Sequence, residues 1–92
     1  MNNIHPNSLA KIMANIPKEL VSLTLEVIKI HNNEQMYSEE LIDKMNQACI
    51  FIEDRKLFDP ITEDYVGDGV VLEIKDSIFR IRGHKITREV VI

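Results

Sequence analysis

The stretch 70–92, VVLEIKDSIFRIRGHKITREVVI, decides the fold class, because apolar and polar residues alternate along most of it. Alternation with a period of two is typical of strands that bury one face. A two-residue turn at Asp76-Ser77 would place apolar residues opposite one another and an acid opposite a base. The pairs predicted by this register are Ile74 with Phe79, Leu72 with Ile81, and Glu73 with Arg80.

A second turn, at Gly83-His84, extends this hairpin into a three-stranded antiparallel meander. Arg88 then lies beside Phe79 and interrupts the apolar pattern of the last strand. Such an arginine either discourages edge-to-edge pairing or indicates that the strand leaves the sheet. The cross-strand pairs predicted here are Ile81 with Ile86, and Arg80 with Thr87.

The two faces of the predicted meander differ in composition. One face is apolar and is expected to pack on the rest of the chain; it contains Val70, Leu72, Ile74, Phe79, Ile81, Ile86, Val90 and Ile92. The opposite face is basic with apolar residues between the charges; it contains Val71, Ile78, Arg80, Arg82, Lys85 and Val91.

Two helices are predicted before residue 33. From Asn7 to Ile16, apolar residues recur at helical spacing, with Asn7 or Ser8 as the N-cap and Pro17 as the end. From Pro17 to His31 the pattern is ambiguous, because residues 21–27 alternate as a strand would. Proline followed by an acid is typical of a helix start, and about fourteen residues is long for a strand, which favours a helix.

The third predicted helix runs from about Glu39 to Lys56. Ser38 is its N-cap, and acids follow in the first turn, where the helix dipole favours them. Its apolar stripe consists of Leu41, Met45, Ala48 and Ile52, widened by Ile42 and Cys49. Residues 59–69 follow as a loop that contains four acids and two glycines.

The sequence therefore predicts an α+β fold in a single domain, 1–92. The predicted helical part is 7–57, the loop is 58–69 and the β part is 70–92, with three N-terminal helices packed on a three-stranded antiparallel meander. A chain of 92 residues is too short for two independent cores.

Composition limits the cellular setting. The longest apolar run has five residues, which predicts no membrane span, and the N-terminus lacks the pattern of a signal peptide. One cysteine cannot form an internal disulfide, so a reducing cytoplasm is expected. The net charge of −4 argues against polyanion binding by the whole molecule. Residues 77–92 nevertheless carry four basic residues and a single acid.

No catalytic or metal-binding constellation is apparent in the sequence. His5, His31 and His84 are separated along the chain, and no Cys-x-x-Cys or His-x-x-x-His spacing occurs. Cys49 is predicted to be an inert core residue on the third helix. The acids of the loop, Asp59, Glu63, Asp64 and Asp68, do not have EF-hand spacing. We therefore expect neither an enzyme nor a metal or cofactor.

The remaining hypothesis is a small acidic binding or regulatory protein that acts by protein–protein contact. The predicted binding residues are the basic residues of the last strands, Arg80, Arg82, Lys85 and Arg88, since arginine among apolar residues is typical of protein interfaces. The apolar residues of the outer face exceed the needs of a small core, which indicates a homo-oligomer.

Two alternatives to this hypothesis stay open. The first is nucleic-acid binding through the basic hairpin, in a winged-helix-like or a sheet-face mode; the lack of predicted aromatics on that face argues against stacking of bases. The second is an oligomer that sequesters a small molecule. The acidic loop 59–68 is the alternative contact surface for a basic partner.

Overall fold

A computed structural model describes residues 3–91 of the chain. Within this range three helices precede one antiparallel sheet with the strand order β1-β2-β3-β4. The elements are α1 Pro6–Met13, α2 Lys18–Asn32, α3 Glu39–Ala48, β1 Ile50–Phe58, β2 Tyr65–Ile74, β3 Ser77–Arg82 and β4 Lys85–Val90. The α+β class and the helix-first order are confirmed. The prediction of three strands is wrong, because the described sheet has four.

The first helix starts earlier than predicted. His5 is its N-cap and makes no capping hydrogen bond with its side chain, while Pro6 is the first helical residue. Proline is favoured there because its missing N–H has no partner in the first turn anyway. The predicted cap at Asn7 or Ser8 is therefore wrong, and Ser8 is buried instead. The predicted stripe is confirmed for Leu9, Ile12 and Met13, which are buried or pack on the core. The helix ends at Met13, so the predicted end at Pro17 is wrong and Ile16 packs on the core from beyond the helix.

The ambiguous second segment is a helix, α2, as favoured. Its buried residues recur at intervals of three and four rather than two; they are Leu20, Thr24, Val27, Ile28 and His31. The last residue of α2, Asn32, also holds the N-terminal segment in place. The Ile4 amide donates to Asn32 Oδ1 at 2.9 Å, and Asn32 Nδ2 donates to the Ile4 carbonyl at 3.0 Å.

The third helix is shorter than predicted. Ser38 caps α3 as expected, accepting the Leu41 amide on its Oγ at 3.2 Å, but the helix ends at Ala48. Cys49 follows with φ 55° and is exposed, so its assignment to the core is wrong. Residues 50–58 form β1 because isoleucine and phenylalanine favour strands, and because Ile50 becomes fully buried opposite Ile74.

The hairpin β2–β3 has a register two residues away from the predicted one. Its turn is Lys75-Asp76, with Lys75 at φ 51°. The predicted pairing of Glu73 with Arg80 is therefore wrong. The observed pairs include Val70 with Ile81, Val71 with Arg80, Leu72 with Phe79 and Glu73 with Ile78. A shift of two residues leaves every side chain on its predicted face, so apolar matching alone does not separate the two registers.

The hairpin β3–β4 has the predicted register. Gly83 has φ 59° in its two-residue turn, a conformation that glycine adopts without steric cost. The observed pairs include Ile81 with Ile86, Arg80 with Thr87 and Phe79 with Arg88, as predicted. The last strand therefore stays in the sheet.

The core lies between the inner face of the sheet and the helices. The inner-face residues that are at most 1% exposed are Ile50, Val70, Leu72, Ile74, Phe79 and Ile81. Ile86 is half-buried and Val90 is exposed, which corrects the prediction that Val90 faces the core. Ile92, predicted on the same face, lies outside the described residues. Among residues 3–91, no helix has the length and apolar character that a membrane crossing requires.

Candidate functional site

The outer face of the sheet carries a groove with a volume of about 820 Å³. One wall is formed by the end of β1 and by the segment 59–64, which we call the groove loop. The other wall is formed by β3 and β4. The alternation of strand residues places Leu57, Arg80, Arg82, Lys85, Thr87 and Glu89 on this face together.

All four predicted binding residues line this groove, together with apolar side chains and acids. The basic residues are Arg80, Arg82, Lys85 and Arg88. The apolar residues are Leu57, Phe58, Pro60 and Val66, and the acids are Asp59, Glu63 and Glu89. The lining is therefore amphipathic and of mixed charge, with cations in a small excess.

The three arginines are held by neighbouring groups. Arg80 Nη1 donates to Glu89 Oε2 at 2.9 Å, across the β3–β4 ladder. Arg82 donates to the Val66 carbonyl, which joins β3 to the far side of the groove. Arg88 donates from Nε and Nη2 to Ser77 Oγ at 3.2 and 3.0 Å. The bonds of Arg80 and Arg82 fix the directions of their guanidinium groups before any ligand binds. Arg88 lies opposite Phe79, so its bonds to Ser77 hold its guanidinium group on the inner face.

Lys85 differs from the arginines. No carboxylate of the described residues forms an ion pair with its ammonium. Its charge nevertheless acts on Asp59 in the opposite wall, whose pKa it helps to lower. Unlike the arginines, Lys85 can thus take an external carboxylate without breaking any ion pair or side-chain hydrogen bond made within residues 3–91.

The groove loop is organised by Asp59. Its Oδ1 accepts the Ile61 amide at 2.8 Å and the Thr62 amide at 2.9 Å. The bonds from Thr62 and then Ile61 are the main reason that the pKa of Asp59 lies below its ordinary value. The Asp59 amide also donates to the Asp64 carbonyl at 2.8 Å and closes the loop. Of the predicted acidic surface, Asp59 and Glu63 line the groove.

Aromatic side chains are present on the outer surface, contrary to the sequence-based expectation. Phe58 lines the groove and is 57% exposed, with its ring centroid 5.9 Å from that of Tyr65. Phe51 also lies on the outer face, on β1, and is 50% exposed. The predicted helix, which extends to Lys56, gives Phe51 the wrong surroundings, and the predicted loop from residue 58 does not place Phe58 on the sheet.

A second polar cluster lies on the inner side of the sheet. His31 Nε2 is 3.4 Å from Asp54 Oδ1, and the histidine is buried. The Tyr37 hydroxyl is 3.5 Å from the Val27 carbonyl; burial, and then the charge of Asp54, raise the pKa of Tyr37. The arrangement joins α2 to β1 by a polar contact at the margin of the core.

Two histidines that are distant in sequence meet in space. The rings of His5 and His84 stack with their centroids 4.4 Å apart, so the N-terminus of α1 touches the β3–β4 turn. Within residues 3–91, no group of three or more His, Cys, Asp or Glu side chains is arranged to hold a metal ion.

Comparison of the chain with protein-family models, with curated proteins and with solved structures gives no match. The physical character of the groove therefore carries the functional argument.

Proposed function

We propose that this chain is a non-enzymatic binding protein that acts through protein–protein contact and works as a homo-oligomer. Its groove takes an extended segment of a partner protein that carries carboxylates and apolar side chains. The observation that carries this proposal is that the side chains of Arg80, Arg82 and Lys85 share one face of one groove beside exposed apolar surface.

The chemistry of the lining favours a protein ligand. Protein interfaces are enriched in arginine and aromatic residues, and both occur here. The groove volume of about 820 Å³ is sufficient for a few side chains of a bound segment. Pre-oriented arginines reduce the entropy lost on binding, since their side chains are already ordered. Lys85 supplies an ammonium that attracts a carboxylate.

Exposed apolar residues support the homo-oligomer, although they are not all the residues that the sequence predicts to be exposed. Val71, which we expected to be exposed on the outer face, is only 5% exposed and makes no contribution. Phe51, Phe58 and Val91 of the strands and their flanks remain exposed. Contact with a second copy would remove part of this apolar surface from water.

Nucleic-acid binding is the second candidate, and Phe58 is the observation that favours it. An exposed aromatic beside arginines is the arrangement on which the bases of a single strand stack. The carboxylates of Asp59, Glu63 and Glu89 in the same groove repel phosphate, which favours the protein ligand.

The test is an NMR titration of the ¹⁵N-labelled chain with a hexapeptide of alternating glutamate and leucine. We expect shifts of the amides of β3, β4 and the groove loop. Lys85→Glu should weaken binding by at least about tenfold, because charge reversal removes attraction and adds repulsion. Lys29→Glu, the same charge change on the exposed side of α2, is the matched control and should bind normally.

Two results would contradict the proposal. One is that the peptide causes no shifts at the groove, or that Lys29→Glu and Lys85→Glu weaken binding equally. The other is that oligo-dT binds and the peptide does not, with an affinity that falls steeply as salt is added, which would establish the nucleic-acid alternative. Binding of a neutral small molecule alone would indicate sequestration instead.

A further inference from the structure

Strand β4 is an open edge of the sheet. It pairs with β3 on one side only, and five of its six residues are exposed. An edge strand presents unpaired backbone N–H and C=O groups that can template pairing with another strand. All six residues of β4 pair with β3 in an unbroken register, so the edge is straight enough to act as a template.

The hairpin geometry determines which backbone groups face the open edge. Arg82 and Lys85 flank a two-residue turn, so they form a hydrogen-bonded pair, and such pairs then alternate along the ladder. Within β4, the residues of odd number therefore form the backbone hydrogen bonds to β3. The Val91 amide, which donates to the Asp76 carbonyl at 2.6 Å, follows the same parity. Ile86, Arg88 and Val90 consequently direct their N–H and C=O groups outward.

A second copy of β4 matches these outward groups in an antiparallel register centred on Thr87. Ile86 then exchanges hydrogen bonds with Arg88 of the second copy, and the two threonines face each other. On the outer face, Lys85 lies directly opposite Glu89 of the second copy, and symmetry repeats this pair. Opposite charges in that position stabilise strand pairing.

The two neighbouring symmetric registers are less favourable. Centring on Ile86 places Lys85 opposite a threonine and leaves both charges without a cross-strand partner. Centring on Arg88 places two arginines opposite each other, and like charges in that position are destabilising. Only the register centred on Thr87 is self-complementary in charge, as a two-fold interface requires.

Contacts within the chain are consistent with this pairing. Lys85 forms no ion pair with the described residues, and Glu89 accepts from Arg80 on Oε2 only, so Oε1 of Glu89 in a second copy would be the partner of Lys85. Arg88 is drawn over β3 by its two hydrogen bonds to Ser77 Oγ, which directs its side chain away from the open edge. In this conformation Arg88 therefore does not block the pairing of β4 with another strand.

The other edge of the sheet is protected. The β1 register is interrupted between Leu57 and Phe58, and a break of this kind twists an edge away from partners. The middle of β1 is a run of four charged residues, 53–56, in which Arg55 pairs with Glu53 of its own strand. Charges on an edge strand discourage pairing with another sheet.

We propose that two copies of this chain join through β4, antiparallel and centred on Thr87, into one eight-stranded sheet. This inference rests on the homo-oligomer of the proposed function and gives it an interface. Lys85, Thr87 and Glu89 line both the groove and the joint, so the groove of one copy continues into that of the other. A single copy leaves the groove open at β4, and the second copy completes it.

The test uses two complementary charge variants in analytical ultracentrifugation. In Lys85→Glu, positions 85 and 89 of every copy are both acidic. In Glu89→Lys, both positions are basic. Each variant alone should have a dimer dissociation constant raised by at least about tenfold, because both symmetric pairs become repulsive. An equimolar mixture restores both pairs and should form heterodimers as tightly as the unmodified chain forms homodimers. Lys29→Glu is the control and should dimerise normally.

Three outcomes overturn the pairing. The first is that the unmodified chain stays a monomer of 10.7 kDa up to about 1 mM. The second is that each variant alone dimerises as well as the unmodified chain. The third is that both variants are folded but their mixture forms no heterodimer. Circular dichroism of each variant shows whether it is folded. The peptide titration of the unmodified chain is a separate measurement. If the chain dimerises but binds no peptide, the proposed groove ligand is wrong and the β4 pairing stands. If the chain is a monomer that binds the peptide, the β4 pairing is wrong and the groove ligand stands.

Discussion

The inner and outer faces of the sheet are made by the same strands, yet they are organised differently. On the inner face, Leu72 and Phe79 lie opposite each other and are fully buried against the helices. On the outer face, Arg80 and Arg82 reach across to Glu89 and Val66 and surround a groove. Burial constrains the centre of the inner face to apolar residues, while Asp54 and Arg88 lie towards its edges, on β1 and β4. The outer face is free of that constraint and can carry a binding surface.

The faces also differ in how they respond to strand register. The predicted and observed registers of β2–β3 both place apolar residues opposite one another on the inner face. On the outer face the same shift of two residues removes the predicted Glu73–Arg80 pair and places Val71 opposite Arg80, whose ion pair is formed with Glu89 of β4 instead. An apolar layer tolerates such a shift because hydrophobic contact is not directional, whereas an ion pair needs one specific neighbour.

The largest effect is expected on the inner face. Phe79→Ala should lower the free energy of unfolding by about 3–5 kcal/mol, because it removes a buried ring and leaves a cavity. Phe51→Ala deletes the same side chain from the outer face, where it is half-exposed, and should cost less than half as much. Urea denaturation measures both variants. Equal losses would show that the two faces contribute alike to stability.

A smaller effect is expected at Gly69. A Cβ there would lie 2.3 Å from the Ile81 carbonyl oxygen and 2.5 Å from Leu57 Cδ1. Gly69→Ala should therefore destabilise the fold by about 1–3 kcal/mol through overpacking. Adding Leu57→Ala removes the side-chain contact only, so it should not restore stability, since the backbone oxygen remains. Full recovery in thermal denaturation would show that Leu57 is the obstacle.

Reversal of two arginines on the outer face should change stability little. In Arg80→Glu/Arg82→Glu the exposed Arg80–Glu89 ion pair is lost, which costs at most about 1 kcal/mol. The Arg82 hydrogen bond to the Val66 carbonyl is also lost, which costs about 0.5–1.5 kcal/mol. Two new acids in a groove that already contains Asp59, Glu63 and Glu89 add a modest repulsion that salt screens. Chemical denaturation at two salt concentrations measures both contributions. A loss as large as that of Phe79→Ala would mean that the outer face is part of the structural core.

The smallest effect concerns the groove loop at acid pH. The pKa of Asp59 is lowered by the Thr62 and Ile61 amides, so the folded state favours the carboxylate. The stabilisation is present above the ordinary pKa of 3.8 and is lost as the pH falls through the lowered value. Amide shifts of Ile61 and Thr62 should therefore titrate with a midpoint below 3.8. Asp59→Asn keeps an accepting oxygen without a charge, and its loop amides should not titrate in this range.

Local signals in the sequence predicted several elements correctly. The Ser38 cap, the Gly83-His84 turn and the helical nature of α2 depend on residues within a few positions of one another. The grouping of Arg80, Arg82 and Lys85 also follows from alternation along a hairpin whose turn was identified. These features need no information about distant parts of the chain.

The opposite wall of the groove was not predicted, for a specific reason. Leu41, Met45, Ala48 and Ile52 have helical spacing, so the periodicity extends past the true end of α3 at Ala48. The segment becomes β1 because the ten residues of β2, which follow the groove loop, offer it a pairing partner along its whole length. Without β1, neither Leu57 nor Phe58 could be placed beside the basic strands.

The sequence by itself determined the α+β class, the faces of the residues of the last two strands other than Val90, and the basic cluster of residues 80–88. Periodicity and turn chemistry act over a few residues, so they can be deduced without knowing the fold. Only the tertiary structure decided the fourth strand, the β2–β3 register, the partner of Arg80 and the contact of His5 with His84. Each of these depends on which distant groups compete for the same hydrogen bonds and the same buried area, and that competition is resolved only when the whole chain packs.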